Sequence, residues 1–518
     1  MNAICSILSL MLLVSTMVCV STTFDNTICM EPEQIHLSLG DDYSKMVVMW
    51  SSPVNTTSWV EYRPITDQIS YKSYSTVRQL TEDVSNALPF IHKAVLQNLD
   101  EGSVYRYYIS TQCLNRSIIS SNEYNFTTIK TQYVSPMSVL VYGDMGARVG
   151  VNTINKLQEE IKTSEYTCIW HIGDLAYDLQ TDGGAIGDQF MREIQNLSAY
   201  LPYMTSPGNH EIYGDFLHYS TRFSTPNTRW PIPLKQMYYS YDIGLVHFIS
   251  YSTEVYFVHD QNFVCDQYNW LLQDLIRANQ NRSKRPWIIA MGHRPMYCSN
   301  TNSDDCTRSF MSGWVRYGLE DLFYSQGVDL ILQGHEHSYE RSWPMYKRQP
   351  INLDYNNPRA PVHVISGAGG CKEGDDKELG NRESWSAFID NSKPHDNSYG
   401  KLHVHNTSHL YWQQIAVTSG MVLDSIWMVQ PAHGPFDKSV DCDLNGHGSH
   451  KVCRCPMVFH FETCIIASSV VLIVIVVTIV TLCCYCKFRK RKTNLKKEYS
   501  LAKQEMDYLD DDLENLIG

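Results

Sequence analysis

Five short segments of this chain each place an oxygen or nitrogen donor directly after an apolar run. They are Gly143-Asp144-Met145-Gly146, Gly173-Asp174-Leu175-Ala176-Tyr177, Gly208-Asn209-His210-Glu211, Gly292-His293-Arg294-Pro295 and Gly334-His335-Glu336-His337. Singly, each has an ordinary explanation as a capping Asp, a core Tyr or a structural His. Together they supply Asp, Asp and Tyr, Asn, His, and then two His in chain order. Carboxylate, phenol, amide and imidazole donors suit hard to borderline cations, whereas soft thiolate-binding metals demand Cys. One carboxylate is available to bridge, so the set fits a pair of ions. His335 and His337, one residue apart, can be aimed at neighbouring ions by an extended or turning backbone.

Residues so far apart in sequence need a scaffold that gathers them. Apolar runs at 138–142, 167–172, 287–291 and 328–332 alternate with helical periodicity at 152–163 and 268–279, which is α/β patterning. In such sheets the loops at the carboxyl ends of strands line the ligand crevice, and each of these runs ends at one of the donor segments. From Cys29 to Lys130 the rhythm differs. Short β-rich runs such as 46–50 and 105–110, separated by polar turns, predict a small β-sandwich without a His/Asp cluster, hence a supporting role.

The chain has 518 residues, 43% hydrophobic and 19% charged, with a formal net charge of -13. That length implies more than one domain, and an acidic chain without a basic stripe excludes nucleic acid as the main partner. Residues 1–21 read as a signal peptide, with an apolar stretch from Ile4 to Val20 ending in small residues. The uncharged run from Ile465 to Tyr485 is long enough for a single transmembrane helix, and Lys487-Phe488-Arg489-Lys490-Arg491-Lys492 marks its cytoplasmic flank. A type I membrane protein is expected, its body extracellular or lumenal, at the cell surface or in endosomes and lysosomes. The tail's acidic Asp512–Ile517 stretch fits a sorting signal, although a merely solvated end is the commoner case.

Asn-x-Ser/Thr sites at Asn55, Asn115, Asn125, Asn196, Asn281 and Asn406 agree with that placement. So do the ten cysteines between Cys29 and Cys455, an even number read by default as disulfides. Cys298 and Cys306 bracket a polar loop and are expected to pair.

The order and spelling of the five segments resemble the purple acid phosphatases of the calcineurin-like metallophosphoesterase superfamily, in the long animal form with an N-terminal fibronectin type III-like domain. The resemblance covers roughly Cys29 to Gln430. It implies a four-layer α/β metallophosphoesterase sandwich and a dinuclear centre of Fe(III) with a divalent metal (Zn, Fe or Mn). Asp144, Asp174, Tyr177 and His337 would hold the ferric ion, and Asp174, Asn209, His293 and His335 the divalent one, with Asp174 as the bridge. Tyr177 is the discriminating residue, because a phenolate on Fe(III) gives that family its colour. Gly146 stands where many non-purple relatives carry a metal-binding His.

The activity so implied is acid hydrolysis of phosphate monoesters by a metal-bound hydroxide, without a protein nucleophile. His210 is the expected catalytic residue, orienting phosphate or protonating the leaving group. Asn209, His210 and Arg294 are expected to contact substrate, although Arg294 pairing with an acid is equally open. The loop after His293 departs from plant members: Ser299 to Asp305 contains no His, which puts substrate preference in doubt. His395, His403, His405 and His409 are left unassigned as surface or packing residues.

Expected boundaries are 1–21 signal peptide, 22–132 sandwich, 133–430 catalytic domain, 431–463 Cys-containing stalk, 464–486 membrane helix and 487–518 cytoplasmic tail. Small phosphorylated molecules are the expected substrates, and a homodimer is left open. Two competing functions remain: a phosphodiesterase or nucleotide hydrolase using the same metals, and a catalytically silent adhesion or receptor ectodomain.

Overall fold

A computed structural model describes residues 30–437 except 82–88, 114, 131–135, 164–165, 259–260, 300–312, 375–381 and 391–395, and parts of a separate helical unit between 475 and 503. The predicted signal peptide, the stalk from residue 438 on, Cys306 and the tail end lie outside the described residues. So does the first half of the predicted membrane run. Among the described residues no helix is long and apolar enough to cross a membrane.

Alternation of buried and exposed side chains builds the N-terminal sandwich from two antiparallel sheets. One contains Glu33–Leu39, Met46–Ser52, Thr76–Gln79 and Phe90–Leu96. The other contains Thr57–Pro64, Tyr71–Tyr74, Val104–Gln112, Ile118–Ser120 and Tyr124–Thr127. Trp50, Val60, Tyr107, Ile109 and Phe126 fill the space between them. The sandwich braces the helix Ala185–Ser198 and the turn after it: Tyr107 Oη donates to the Ala199 carbonyl at 2.7 Å, and the Ile35 amide donates to Gln195 Oε1 at 3.0 Å.

The α/β body stacks two sheets face to face. The first runs Tyr203–Ser206, Cys168–Ile172, Met137–Tyr142, Ser398–Val404, His409–Ala416, Val422–Val429, the first three parallel and the last three antiparallel. At the centre of the second, Val246–Ser250, Trp287–Met291, Leu330–Gln333 and Val362–Ser366 run parallel. The last three of these are fully buried and rich in Ile, Val and Leu, which is what strands of a sheet covered on both faces require. Trp170 meets Phe248 edge to face at 4.5 Å across the sheet interface. Helices Val151–Thr163 and Ala185–Ser198 pack Ile154, Leu157, Phe190 and Ile194 on the outer face of the first sheet. Helix Gln261–Gln280 lies outside the second, tied by Asp274 to His247 at 2.8 Å.

The N-terminal sandwich and α/β body are therefore as expected. The segment after residue 360 is divided in a way the sequence did not announce: Val362–Ser366 and Ser386–Ile389 join the second sheet, whereas Ser398–Val404, His409–Ala416 and Val422–Val429 extend the first.

The cysteine expectation needs correcting. Cys113, Cys265 and Cys298 are disulfide-bonded, but Cys168 and Cys371 are free thiols. Cys168 sits in a central strand with no exposure and packs as a small hydrophobe, which is why an even count misled.

Candidate metal centre

Each of the five donor segments leaves the carboxyl end of a parallel strand, and the two sheets bring these ends together. Asp144, Asp174, Tyr177, Asn209 and His210 come from the first sheet; His293, His335 and His337 come from the second. Asp144, Asp174, Tyr177 and His335 have φ of 60°, 50°, 50° and 71°, left-handed values that non-glycine residues adopt at a cost. The neighbouring glycines are required by close approach. A Cβ on Gly208 would lie 2.2 Å from Asp174 Oδ1, and one on Gly334 would lie 2.5 Å from Asp144 Oδ2.

The donors form two groups. In one, Tyr177 Oη lies 3.1 Å from Asp144 Oδ1 and 2.8 Å from His337 Nε2. In the other, His293 Nε2 lies 3.1 Å from Asp174 Oδ2, 3.1 Å from Asn209 Oδ1 and 3.2 Å from His335 Nδ1. His293 Nδ1 faces the Ile172 carbonyl at 2.9 Å and donates its proton there, so Nε2 is the atom that would give up its proton and turn a lone pair to a bound cation. His337 Nδ1 does the same toward Gly374 O at 2.9 Å.

Electrostatics fit a cation in this cradle. Asp144 and Asp174 are buried side by side. Burial, reinforced by Asp174, pushes the Asp144 carboxyl well above its usual range. Burial also opposes ionisation of Asp174, but His293 outweighs it and holds that carboxyl low. Burial of His293 is likewise outweighed by Asp174 and Asp144, which raise the imidazole to about 10. A single imidazolium thus neutralises only one of two buried carboxylates, and the second needs another positive charge. Tyr177, raised by burial and then by both carboxylates, likewise needs a cation to ionise.

His210 stands at the rim with its side chain 20% exposed. Its Nδ1 binds Asp178 Oδ1 at 2.5 Å, turning Nε2 toward Asp174 Oδ2 at 4.0 Å. Burial, which alone would lower this imidazole, is outweighed by Asp174 and Asp178, and its pKa is raised. Arg294 is not an open substrate anchor in this structure: it is buried, with Nε 3.0 and 3.1 Å from the two oxygens of Glu254, and Nη1 reaches His335 Nε2 at 3.4 Å. His405 and His409 pack near Trp427, and His403 accompanies Ser138, on the antiparallel side of the first sheet. His395 lies outside the described residues.

Three contributions escaped the sequence reading. Glu211 accepts three backbone N–H groups, from Asp174, Leu175 and Gly208, at 2.9, 2.9 and 2.8 Å, joining the two loops that carry Asp174 and Asn209. Asp178 orients His210. The loop after Val362–Ser366 reaches over the tyrosine half, with Lys372 Nζ donating to the Tyr177 carbonyl at 2.7 Å. That loop follows a parallel strand as the others do, so strand-end position was the signal available for it.

Comparison with known proteins agrees with this geometry. The calcineurin-like phosphoesterase family matches residues 137–339, the iron/zinc purple acid phosphatase-like protein C family 360–425, and the purple acid phosphatase N-terminal domain family 32–128. Acid phosphatase type 7 of Danio rerio is 38% identical over 440 residues, 80% of this chain and 96% of its own length. The Homo sapiens protein of that name is 38% identical, over 78% of this chain and 92% of its own. A solved purple acid phosphatase from yellow lupin (Lupinus luteus) seeds superposes with a TM-score of 0.67 at 25% identity, covering 77% of this chain and 74% of that one. A two-sheet body with paired donor groups at its strand ends, joined to the matching N-terminal sandwich, makes this chain a member of the purple acid phosphatase family.

Proposed function

We propose that this chain hydrolyses phosphate monoesters at acidic pH through a dinuclear centre of Fe(III) and a divalent ion. The observation that carries the reading is the convergence of donors from five strand ends into two groups, with buried Asp174 beside both His293 and the neighbouring carboxylate of Asp144. Asp144, Tyr177 and His337 would hold one ion, Asn209, His293 and His335 the other, and Asp174 would bridge. Such a pair, when bound, lowers the pKa of a water toward neutrality and offsets charge on the phosphate. Tyr177 among the donors supports iron in its half, because phenolate is a hard anionic ligand.

The protein's own groups do the rest. The hydrogen bonds from His293 Nδ1 and His337 Nδ1 to main-chain carbonyls fix the tautomers that aim Nε2 inward. His210 holds a proton at Nε2, sustained by Asp178, and can pass it to the leaving oxygen. Arg294, tied to Glu254, steadies His335 and leaves Asn209 and His210 as the substrate contacts.

An outward-facing, membrane-anchored placement is part of the proposal. Its support is the uncharged 465–485 run with its basic flank, the disulfides at Cys113, Cys265 and Cys298, and the exposure of Asn55, Asn115, Asn125, Asn196 and Asn406 for glycosylation.

The test uses the purified, metal-replete protein with p-nitrophenyl phosphate and bis(p-nitrophenyl) phosphate at mildly acidic pH. Turnover of the monoester, abolished by Asp174→Asn, is expected. Preference for the diester would favour a phosphodiesterase, and no turnover of either would favour a silent ectodomain.

A further inference from the structure

Alternation along the three antiparallel strands that complete the first sheet sends Leu402, Val404, Leu410, Trp412, Ile426 and Met428 into the core between the sheets. The intervening residues face outward, and beside the turn from Ser398–Val404 into His409–Ala416 they are aromatic. Trp427 is 49% exposed and stacks on Tyr411 with ring centroids 4.7 Å apart. His405 and His409, bonded across the turn, approach the same indole edge-on at 5.7 and 6.2 Å. These rings form one contiguous patch whose exposed side gains nothing from packing within the chain.

Asn406 sits inside that turn, between the two histidines, and heads the sequence Asn406-Thr407-Ser408. Its side-chain oxygen is fully engaged, accepting the Ser408 amide at 2.9 Å, the Ser408 hydroxyl at 3.2 Å and the His409 amide at 2.8 Å. The backbone is pinned as well: Trp287 Nε1 donates to the Asn406 carbonyl at 3.0 Å, and the Thr407 carbonyl accepts from His433 Nε2 at 2.8 Å. Asn406 is exposed, and among the described residues nothing binds its Nδ2. A rigid turn thus presents one modifiable nitrogen beside an exposed aromatic face.

We propose that the N-linked glycan of Asn406 folds back onto this face, with its innermost sugar stacked on Trp427 and Tyr411. This rests on the outward-facing placement, which exposes the chain to glycosylation. A pyranose ring suits the patch, because its C–H side lies against a π face while its hydroxyls stay in water. Attachment at Asn406 makes the contact intramolecular, so a stacking energy too weak to hold a free sugar suffices to hold this one. So placed, the sugar covers an aromatic surface that would otherwise favour self-association. It also braces a turn to which Trp287 of the second sheet and His433 are both bonded.

The test uses the full-length protein made in eukaryotic secretory cells and purified in detergent. Glycopeptide mass spectrometry should find Asn406 modified. Melting temperatures are then compared for wild type, Ser408→Ala, Trp427→Ala and the double variant. Ser408→Ala removes the glycan together with a turn hydrogen bond, and the hydrogen-bond loss is common to both backgrounds, so the cycle isolates the sugar–indole coupling. The fall in melting temperature on Ser408→Ala should be smaller once Trp427→Ala is present. Equal falls in the two backgrounds would overturn the proposal. Trp427→Leu, which keeps apolar bulk against Tyr411, serves in the cycle if Trp427→Ala does not fold.

A second readout is proton NMR of the protein carrying isotope-labelled glycans. The protons of the innermost Asn406 sugar should lie upfield, under the indole ring current, and return to ordinary positions in Trp427→Leu. Unshifted protons in wild type would overturn the stacking. Self-association of glycosylated wild type that Trp427→Leu abolishes would also overturn it, by making a second copy the occupant. An unmodified Asn406 beside modified Asn55 or Asn115 would overturn this proposal alone, whereas a chain unmodified at every site would overturn the outward-facing placement with it.

Discussion

Glu211 receives the Asp174 amide at 2.9 Å while its carboxylate also takes the amides of Leu175 and Gly208. The residue expected to bridge two metals is thus held by its own backbone to the loop that brings Asn209. Burial, then Asp174, raises the Glu211 carboxyl to about 7, against the accepted N–H bonds of Leu175 and Gly208 and the nearby His293. Glu211→Ala leaves three buried amides without an acceptor, each costing ~1–3 kcal/mol if unreplaced. A fall of several degrees in melting temperature and loss of bound metal are expected. Glu211→Gln, which keeps one acceptor oxygen, should fall between Ala and wild type. Unchanged metal content in the alanine variant would contradict the joining role.

Gly208→Ala adds a Cβ 2.2 Å from Asp174 Oδ1. The carboxylate must move, so the variant should lose the divalent ion first and destabilise by ~1–3 kcal/mol, the usual cost of overpacking. Metal analysis beside a thermal melt checks this.

His210 and Asp178 predict a leaving-group signature. His210→Ala should cost ~10²–10⁴-fold in kcat for alkyl phosphates, whose leaving oxygen needs a proton, and far less for p-nitrophenyl phosphate. Asp178 helps to raise the His210 pKa. Asp178→Asn should therefore lower that pKa and move the alkaline limb of the pH–rate profile to lower pH. A limb that stays in place would remove His210 as the proton donor.

Stability carries its own pH dependence at His247, far from the proposed ligands in sequence. Its two nitrogens bind Asp242 at 2.7 Å and Asp274 at 2.8 Å, clamping strand to helix. Burial lowers this imidazole, yet the two carboxylates outweigh it and raise the pKa from 6.5 to about 9. A raised folded-state pKa means stability present in full below about 6.5 and lost as pH rises through about 9. The melting temperature should fall across that window in wild type, and much less in His247→Gln.

Much of this was legible in the sequence because strand-end donors obey a local rule. An apolar run followed by Gly-Asp, Gly-Asn or Gly-His marks both the element and a candidate donor, and the side chains of Asp144, Asp174, Tyr177, Asn209, His293, His335 and His337 converge on one place. What was hidden depends on partners remote in sequence. Arg294 looks free until the fold brings Glu254 to its Nε. Glu211 acts through main-chain amides, which no side-chain pattern marks. The antiparallel seam between Met137–Tyr142 and Ser398–Val404 joins distant parts of the chain, so no periodicity forecasts it.

The most direct measurement of the account is the metal content and visible spectrum of the purified protein, repeated on Tyr177→Phe. Two metal ions per chain, one of them iron, with a purple charge-transfer band that vanishes in a still folded Tyr177→Phe, is the predicted result. A colourless wild-type protein with its full complement of iron would contradict it.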